Sequence, residues 1–272
     1  MPDLNSAMKY IFITACYAFL SFAISVNAQE NLWNGKKCAV VLTYDDALHG
    51  HLDQAVPALD SVGFKGTFYL TAFATGSKDR IEDWRRAAAN SHELGNHTLF
   101  HPCIGNRPGR EWVSKERNLN SYSMERMLEE IRMTNVYLQA IDGKTERTFA
   151  YPCGDMTVGD SSYVRQIQAD FVSARGVART MHPFSNGDLF NVGSYMVNGE
   201  SGVQLVKLVQ EAMASGKLLV FLFHGVGGEH NLNVDLQAHR ELLAFLKAHE
   251  REIWVAPFID ITRFIESKHG NK

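Results

Sequence analysis

The regular alternation of short apolar runs with segments of helical periodicity is the strongest constraint on the fold of this chain. Apolar runs rich in β-branched residues indicate strands, and apolar residues that recur every three or four positions indicate helices. Strands are predicted at residues 38–44, 66–70, 93–96, 148–151, 171–175, 218–224 and 253–256. Helices are predicted at residues 52–62, 80–90, 124–142, 163–169, 203–214, 236–249 and 259–265.

Strands and helices that alternate in this way predict a parallel sheet covered by helices, an α/β fold. No linker rich in Pro, Gly or Ser and no internal repeat interrupts the pattern, so we expect one barrel-like domain over residues 29–272. In such folds the active groups gather at the carboxyl ends of the strands. The 27 Lys and Arg residues against 30 Asp and Glu give a net charge of −3. That balance argues against a nucleic-acid partner.

The N-terminal segment predicts export. Residues 10–26 are uncharged, Lys9 precedes them, and Val26-Asn27-Ala28 has the small-residue pattern of a cleavage site. We interpret residues 1–28 as a signal peptide, the alternative being an uncleaved membrane anchor. The mature chain would be secreted or periplasmic, in an oxidising compartment where a disulfide can persist.

Two adjacent carboxylates follow the first predicted strand, which ends in Thr43-Tyr44-Asp45-Asp46. Burying even one carboxylate requires a partner. Neighbouring side chains project in different directions, so one carboxylate could hold a metal while the other accepts a proton. The alternative is structural, because an Asp after a strand often caps the next helix.

Two histidines have the spacing of a metal site, in His97-Thr98-Leu99-Phe100-His101. On a helix, positions i and i+4 share one face, so we expect a helix here that brings both imidazoles to one ion. Two imidazoles and one carboxylate form a standard catalytic zinc set that leaves a position open for water. The spacing alone also arises by chance in a chain with 11 histidines.

Two further predicted strands end in candidate functional residues. His224 ends the most apolar predicted strand, where it is either a general acid or a histidine satisfied within the core. Residues 149–154 run from a strand into a turn whose path is fixed by Pro152 and Gly154. By itself this segment could be a turn and nothing more.

At these four places the sequence resembles the polysaccharide deacetylase family, also called the NodB-homology or carbohydrate esterase family 4 domain. The family motif T-F-D-D appears as residues 43–46, H-[ST]-x-x-H as residues 97–101, and L-x-H as Leu222-Phe223-His224. The resemblance spans about residues 37–262. It implies a distorted (β/α)7 barrel, in line with the alternation.

The resemblance also implies a role for each motif residue. Asp46, His97 and His101 would hold a divalent metal, usually Zn²⁺. Asp45 would be the catalytic base and His224 the catalytic acid. The backbone N–H of Cys153 would stabilise the oxyanion, with Tyr151 and Pro152 supporting the turn. The implied reaction is hydrolysis of N-acetyl or O-acetyl groups from an acetylated polysaccharide or oligosaccharide by water activated at the metal.

The sequence departs from the family pattern in two motifs. Ala150 stands where the third motif commonly carries an Arg that orients the base. The fourth motif places an Asp, often beside Trp, to tune the acid histidine, whereas this chain has Ser173-Ala174-Arg175-Gly176. Our hypothesis is that Arg175 supplies the missing positive charge from the neighbouring strand. The departures also leave a second function open, a carbohydrate-binding relative that keeps the fold and metal site but has lost turnover.

Features near these motifs suggest further expectations. If the loops after the second and third motifs converge, a Cys103–Cys153 disulfide could tie them together; otherwise both residues are buried free thiols. We interpret residues 225–228, Gly-Val-Gly-Gly, as a flexible lip beside His224. Trp112 could stack on a sugar ring or pack as a core residue. A serine esterase is not supported, because the G-x-S-x-G motif is absent from the chain.

Overall fold

The computed structural model describes residues 32–185 and 187–269. The predicted signal peptide, residues 1–28, lies outside these residues and stays a prediction. In the described part of the chain, no helix combines the length and the apolar character needed to cross a membrane.

Strands and helices alternate along the described chain, as the apolar pattern predicts. The strands are β1 (Cys38–Asp45), β2 (Thr67–Leu70), β3 (Glu93–Asn96), β4 (Thr148–Ala150), β5 (Thr157–Val158), β6 (Ser161–Ser162), β7 (Ser173–Arg175), β8 (Tyr195–Met196), β9 (Leu218–Phe223), β10 (Gly225–Val226), β11 (Asn233–Val234) and β12 (Ile253–Val255). The helices are α1 (Val56–Val62), α2 (Thr75–Lys78), α3 (Ile81–Ala89), α4 (Met124–Asp142), α5 (Val164–Ile167), α6 (Gly202–Ser215), α7 (Leu236–Ala248) and α8 (Phe258–His269). A π-helical turn, His51–Ala55, leads into α1, and 3₁₀ turns form at Lys115–Arg117, Leu119–Ser121 and Pro152–Gly154.

Within the described residues, eight strands form one sheet in the order β7-β4-β3-β2-β1-β9-β8, with β12 also paired to β1. One edge of β1 pairs with β9, and its other edge pairs first with β12 and then with β2. The pairings of this sheet are parallel, and the sheet curls into a half-barrel with helices packed on it. The predicted α/β class and single (β/α)7-type domain are confirmed.

The central strand β1 is buried along its whole length because both faces of the sheet are covered. Its side chains alternate between two clusters. Cys38, Val40, Leu42 and Tyr44 pack with apolar residues of α1, α3, α6 and α7, whereas Ala39 and Val41 pack with residues of α8. Full burial on both faces explains why this strand appears in the sequence as a continuous apolar run.

Element boundaries differ from prediction mainly at the C-terminal end. The closing helix α8 continues to His269, beyond the predicted residue 265. Its last turn carries Glu266 and Lys268, which interrupt the apolar periodicity without interrupting the helix. The short elements α2, β5, β6, β8, β10 and β11, of two to four residues each, are not predicted from the sequence. The long helix α4 begins as predicted, with the Ser123 hydroxyl accepting from the Arg126 N–H.

Parallel pairing brings five strand ends to the same edge of the sheet. Asp45 is the last residue of β1 and Arg175 the last of β7. His97, Tyr151 and His224 each follow the last residue of β3, β4 and β9. The polar residues singled out in the sequence therefore share one edge of the fold, as expected for this class.

Candidate active site

The two carboxylates are set apart by an abrupt change of backbone direction after β1. Asp46 and Ala47 have φ of +78° and +55°, in the left-handed region. The Asp46 N–H donates to the Tyr69 carbonyl at 3.1 Å. Helix α2 packs closely against this turn, because a Cβ on Gly76 would lie 1.9 Å from the Ala47 oxygen. The turn is therefore held on two sides, and the carboxylates of Asp45 and Asp46 take separate positions.

His97 and His101 lie on a loop, so the predicted helix at this motif is wrong. The loop follows β3, and φ values of +66° at Thr98 and +54° at His101 exclude a helix. The Asn96 side chain accepts from the Thr98 N–H at 2.8 Å, and the Thr98 hydroxyl accepts from the His101 N–H at 2.9 Å. These side-chain hydrogen bonds replace helical ones and still bring the two imidazoles to 4.8 Å, centroid to centroid.

Asp46, His97 and His101 converge on one point. Asp46 Oδ1 lies 3.6 Å from His97 Nε2 and 3.5 Å from His101 Nε2, and the three ligand atoms lie within 4.8 Å of one another. His97 Nδ1 donates to the Ala150 carbonyl at 2.8 Å, so Nε2 presents its lone pair to the cluster. This donor set fits a divalent metal ion such as Zn²⁺.

The electrostatics of the cluster favour the protonation states that a metal requires. Burial by itself raises the pKa of the Asp46 carboxyl. The imidazoles of His101, His97 and His224 have the larger, opposite effect, so the pKa is lowered to about 2. Burial lowers the pKa of His97 to about 4. At neutral pH the cluster therefore offers a carboxylate and a neutral imidazole.

Asp45 is buried beside the cluster and paired with Arg175. Arg175 Nη2 donates to Asp45 Oδ2, and the arginine side chain is fully buried. Arg175 is the register partner of Ala150 on the neighbouring strand, so its charge comes from one strand further along the sheet. Asp45 Oδ1 has no hydrogen-bond partner in the described part of the structure. The second oxygen is thus available to accept a proton.

His224 faces the cluster from the end of β9. Its Nε2 lies 3.9 Å from Asp46 Oδ2, and burial lowers the pKa of its imidazole. Its backbone carbonyl accepts from His51 Nε2 at 2.7 Å. Its Nδ1 finds no partner among residues 32–185 and 187–269. Within the described residues, therefore, no acidic side chain binds His224 Nδ1 in place of the Asp that the family's fourth motif supplies.

Two neighbours of His224 cannot be recognised as site residues from the sequence. His51 supports the His224 backbone, and the His230 ring stacks on the His224 ring at 4.9 Å. His51 is the first residue of the helical turn before α1, and nothing in its sequence position distinguishes it from an ordinary helix residue. His230 follows the glycine-rich segment, and only the abundance of histidine after β9 could have drawn attention to it.

Cys103 and Cys153 form a disulfide, with their Cα atoms 5.9 Å apart. The bond joins the loop after β3, which carries His101, to the turn after β4. Cys153 has φ of +56°, and the Tyr151 hydroxyl before it donates to the Phe190 carbonyl at 2.8 Å. His101, Cys103 and Cys153 also lie close enough to share an ion, but the bonded sulfurs offer no thiolate. Cys38 is a buried free thiol.

Trp112 is a surface residue beside the cluster. Its side chain is 61% exposed, and its ring lies 6.2 Å from that of His101. The alternative of a core tryptophan is therefore excluded for this position.

The chain is similar to known proteins in both sequence and structure. A profile of the family described as "Polysaccharide deacetylase" matches residues 34–172, more than half of the chain. A curated relative, a gellan lyase from Bacillus sp., is 25% identical over 271 residues. That alignment covers 89% of this chain, which spans only 10% of the lyase.

Solved structures share the fold at low sequence identity. A putative polysaccharide deacetylase from Mycobacterium smegmatis has a TM-score of 0.63 and 15% identity, covering 90% of this chain and 94% of its own. A probable polysaccharide deacetylase from Pseudomonas aeruginosa PAO1 has a TM-score of 0.64 and 12% identity, covering 90% of this chain and 97% of its own. At such identities the likeness shows the fold. Together with the profile match, which covers three of the strand ends described above, it establishes that the chain belongs to the polysaccharide deacetylase family.

Proposed function

We propose that this chain is a metal-dependent hydrolase that removes N-acetyl or O-acetyl groups from a carbohydrate. The observation that carries the proposal is the convergence of Asp46, His97 and His101 on one point, with Asp45 and His224 beside it. A family of deacetylases supplies the reaction class. The arrangement supplies a candidate for each chemical role.

Asp46, His97 and His101 would hold the metal, and Zn²⁺ suits their mixture of imidazole and carboxylate ligands. When bound, the cation would supply a Lewis acid for the acetyl carbonyl and lower the pKa of water at the site. The hydrogen bond from His97 Nδ1 to the Ala150 carbonyl would fix the ring that presents Nε2.

Asp45 would act as the base. Arg175 occupies its Oδ2, so Oδ1 would accept the proton from the attacking water. The buried guanidinium would also hold the carboxylate in position through its hydrogen bond to Oδ2.

His224 would act as the acid, delivering a proton from Nε2 to the leaving amine or alkoxide of the sugar. The backbone N–H of Cys153 would stabilise the negative oxygen of the tetrahedral intermediate. The Cys103–Cys153 disulfide supports this role by tying the turn to the loop of His101. The products are acetate and the deacetylated sugar.

Trp112 supports a carbohydrate substrate, because an exposed indole next to the cluster offers a flat apolar surface to a sugar ring. The proposed compartment is extracellular or periplasmic. The predicted signal peptide and the disulfide support it, since disulfides persist in oxidising compartments.

The central experiment measures acetate release from a panel of N- and O-acetylated glycans, with chelator and with added zinc or cobalt. We expect release that the chelator abolishes and metal restores. Asp46→Asn should lose both bound metal and turnover. Asp45→Asn should keep the metal and lose roughly 10²- to 10⁴-fold in turnover.

The same panel distinguishes the second candidate function, a carbohydrate-binding relative without turnover. The reasons to test it are Ala150 and the missing fourth-motif Asp, together with the unpartnered Nδ1 of His224 in the described chain. Bound zinc and measurable glycan binding without any acetate release would establish it and reject the hydrolase.

A further inference from the structure

The ring of His230 lies flat against the ring of His224. We propose that His230 is a positioning residue, which holds the His224 imidazole in the plane needed to deliver its proton. The inference rests on the proposed function, because it assigns His230 a task only if His224 serves as the acid.

His224 lacks the hydrogen bond that would otherwise set its ring orientation. Its Nδ1 is buried without a partner in the described chain, so no acceptor fixes the rotation of the ring. The hydrogen bond from His51 Nε2 reaches the His224 backbone carbonyl and therefore fixes the main chain only. Something else must restrain the side chain.

His230 meets this requirement by its geometry. The two ring centroids lie 4.9 Å apart and the ring planes differ by 15°, which is an offset parallel stack. His230 Nδ1 accepts from the Leu232 N–H at 3.0 Å. That bond places the His230 proton on Nε2 and fixes the plane of its ring relative to the backbone.

The loop that carries His230 is anchored, so the expectation of a flexible lip is wrong. Strands β10 and β11 pair in parallel, and the Gly228 N–H donates to the Asn233 side chain at 2.8 Å. A Cβ on Gly225 would lie 2.3 Å from the Gly228 oxygen, so the chain closes tightly here. A rigid loop can hold a stacked ring in place.

The loop is also tied to the segment that supports the His224 backbone. The Glu229 carboxylate accepts from the His49 N–H at 3.0 Å and from the Gly50 N–H at 2.6 Å. Those residues directly precede His51. One local structure thus restrains both the main chain and the ring of His224.

The test compares His230→Ala, His230→Gln and His230→Phe. Phenylalanine keeps a flat ring without an ionisable group, and alanine and glutamine remove the ring. His249→Ala is the matched control, because His249 is also stacked on a ring, that of Phe245 at 4.1 Å, but lies just before β12 at the opposite end of the sheet.

We expect His230→Ala and His230→Gln to lower kcat on acetylated sugars about 10- to 100-fold, a part of what a general acid contributes. KM should change less than about twofold, and His230→Phe should recover part of the loss, because it keeps the stacked ring but not the hydrogen bond from the Leu232 N–H. An aryl acetate needs no proton on its leaving group, so its hydrolysis should be nearly the same in all variants. Unchanged kcat on sugars in a folded glutamine variant would overturn the inference, as would equal losses on both substrates.

A second measurement does not depend on turnover. The ring-proton resonances of His224, assigned by their loss in His224→Gln, should shift in His230→Ala and stay near their original positions in His249→Ala. If the wild-type protein releases no acetate, the proposed function fails and these shifts alone decide whether His230 holds the ring. Unshifted resonances in His230→Ala would reject the stacking in solution.

Discussion

At the scale of single residues, the site depends on a buried charge pair between the last residue of β1 and the last residue of β7. Arg175 and Asp45 are both buried, and each would be an uncompensated charge without the other. Removing one partner of such a pair lowers the free energy of unfolding far more than replacing both, because the remaining buried charge is desolvated and has no opposite charge beside it. The pair therefore links stability to catalysis.

Arg175→Met is expected to destabilise the fold by about 3–5 kcal/mol and to lower turnover of the folded protein. The double variant Asp45→Asn/Arg175→Met should recover much of the stability but none of the activity. Urea unfolding and acetate release measure the two effects separately. Arg147→Met is the matched control, because Arg147 forms a similarly buried pair with Asp142 away from the site. It should lose stability but keep its turnover per folded molecule, and unchanged turnover in Arg175→Met would reject the role of Arg175.

Trp112 makes a separate contribution at the residue scale. Because its side chain is exposed, Trp112→Ala should leave the free energy of unfolding nearly unchanged. We expect KM for acetylated oligosaccharides to rise about three- to tenfold, or about 0.7–1.4 kcal/mol, with kcat preserved. Trp112→Phe should recover part of the loss. Unchanged KM with oligosaccharides of several lengths would show that the indole does not contact the sugar.

At the scale of elements, the disulfide is the covalent link between two loops of the site. It closes a chain segment of 50 residues that contains the whole of α4. Chain entropy alone assigns about 4 kcal/mol of stabilisation to a crosslink over such a length. His101 lies just before one end of that segment and the proposed oxyanion turn forms the other end, so loss of the bond should affect both.

Cys103→Ser/Cys153→Ser is expected to lower the melting temperature, weaken zinc binding and reduce kcat, because both loops lose their common anchor. Calorimetry, metal titration and acetate release provide the three measurements. Cys38→Ala controls for the loss of a buried cysteine, since Cys38 is unbonded and lies at the start of β1, far from the site. A double-serine variant with wild-type zinc affinity and kcat would confine the disulfide to a stabilising role.

Element types were predictable from the sequence, whereas loop conformations were not. The continuous apolar runs of β1 and β9 arise from burial on both faces, so the same physics that forms the strands marks them in the sequence. The spacing of His97 and His101 suggested a helix, but Asn96 and Thr98 satisfy the backbone with side-chain hydrogen bonds and allow a left-handed path. The role of His230 could not be predicted from the sequence, because its contact with His224 depends on the conformation of the loop between β10 and β11.

At the scale of the whole molecule, parallel pairing explains why distant motifs meet. Residues from five strand ends reach one edge of the sheet. Motifs that are far apart along the chain therefore lie side by side around the site. The alternation of the main strands with helices could be predicted, because it depends on local patterns. The order β7-β4-β3-β2-β1-β9-β8 and the position of β12 could not, because they depend on which edges remain after the helices have packed.

The stability of the whole molecule should fall as the pH falls from about 6.5 towards 4. Burial lowers the pKa of His51, His97 and His239 to about 4 in the folded chain, against 6.5 for an ordinary histidine. Between these values the unfolded chain binds more protons, so each group lowers the free energy of unfolding by up to about 1.4 kcal/mol per pH unit. Burial raises the pKa of Glu93, which opposes this trend.

His239→Gln isolates one of these contributions. His239 Nε2 lies 2.8 Å from the buried Tyr44 hydroxyl, and a glutamine amide can keep a hydrogen bond there without taking up a proton. The free energy of unfolding, measured in urea with chelator between pH 4 and 7, should depend less steeply on pH in this variant. Leu242→Ala on the same helix should cost about 2–5 kcal/mol at every pH and leave the slope unchanged. Equal slopes for His239→Gln and the wild-type protein would mean that His239 does not resist protonation in the folded state.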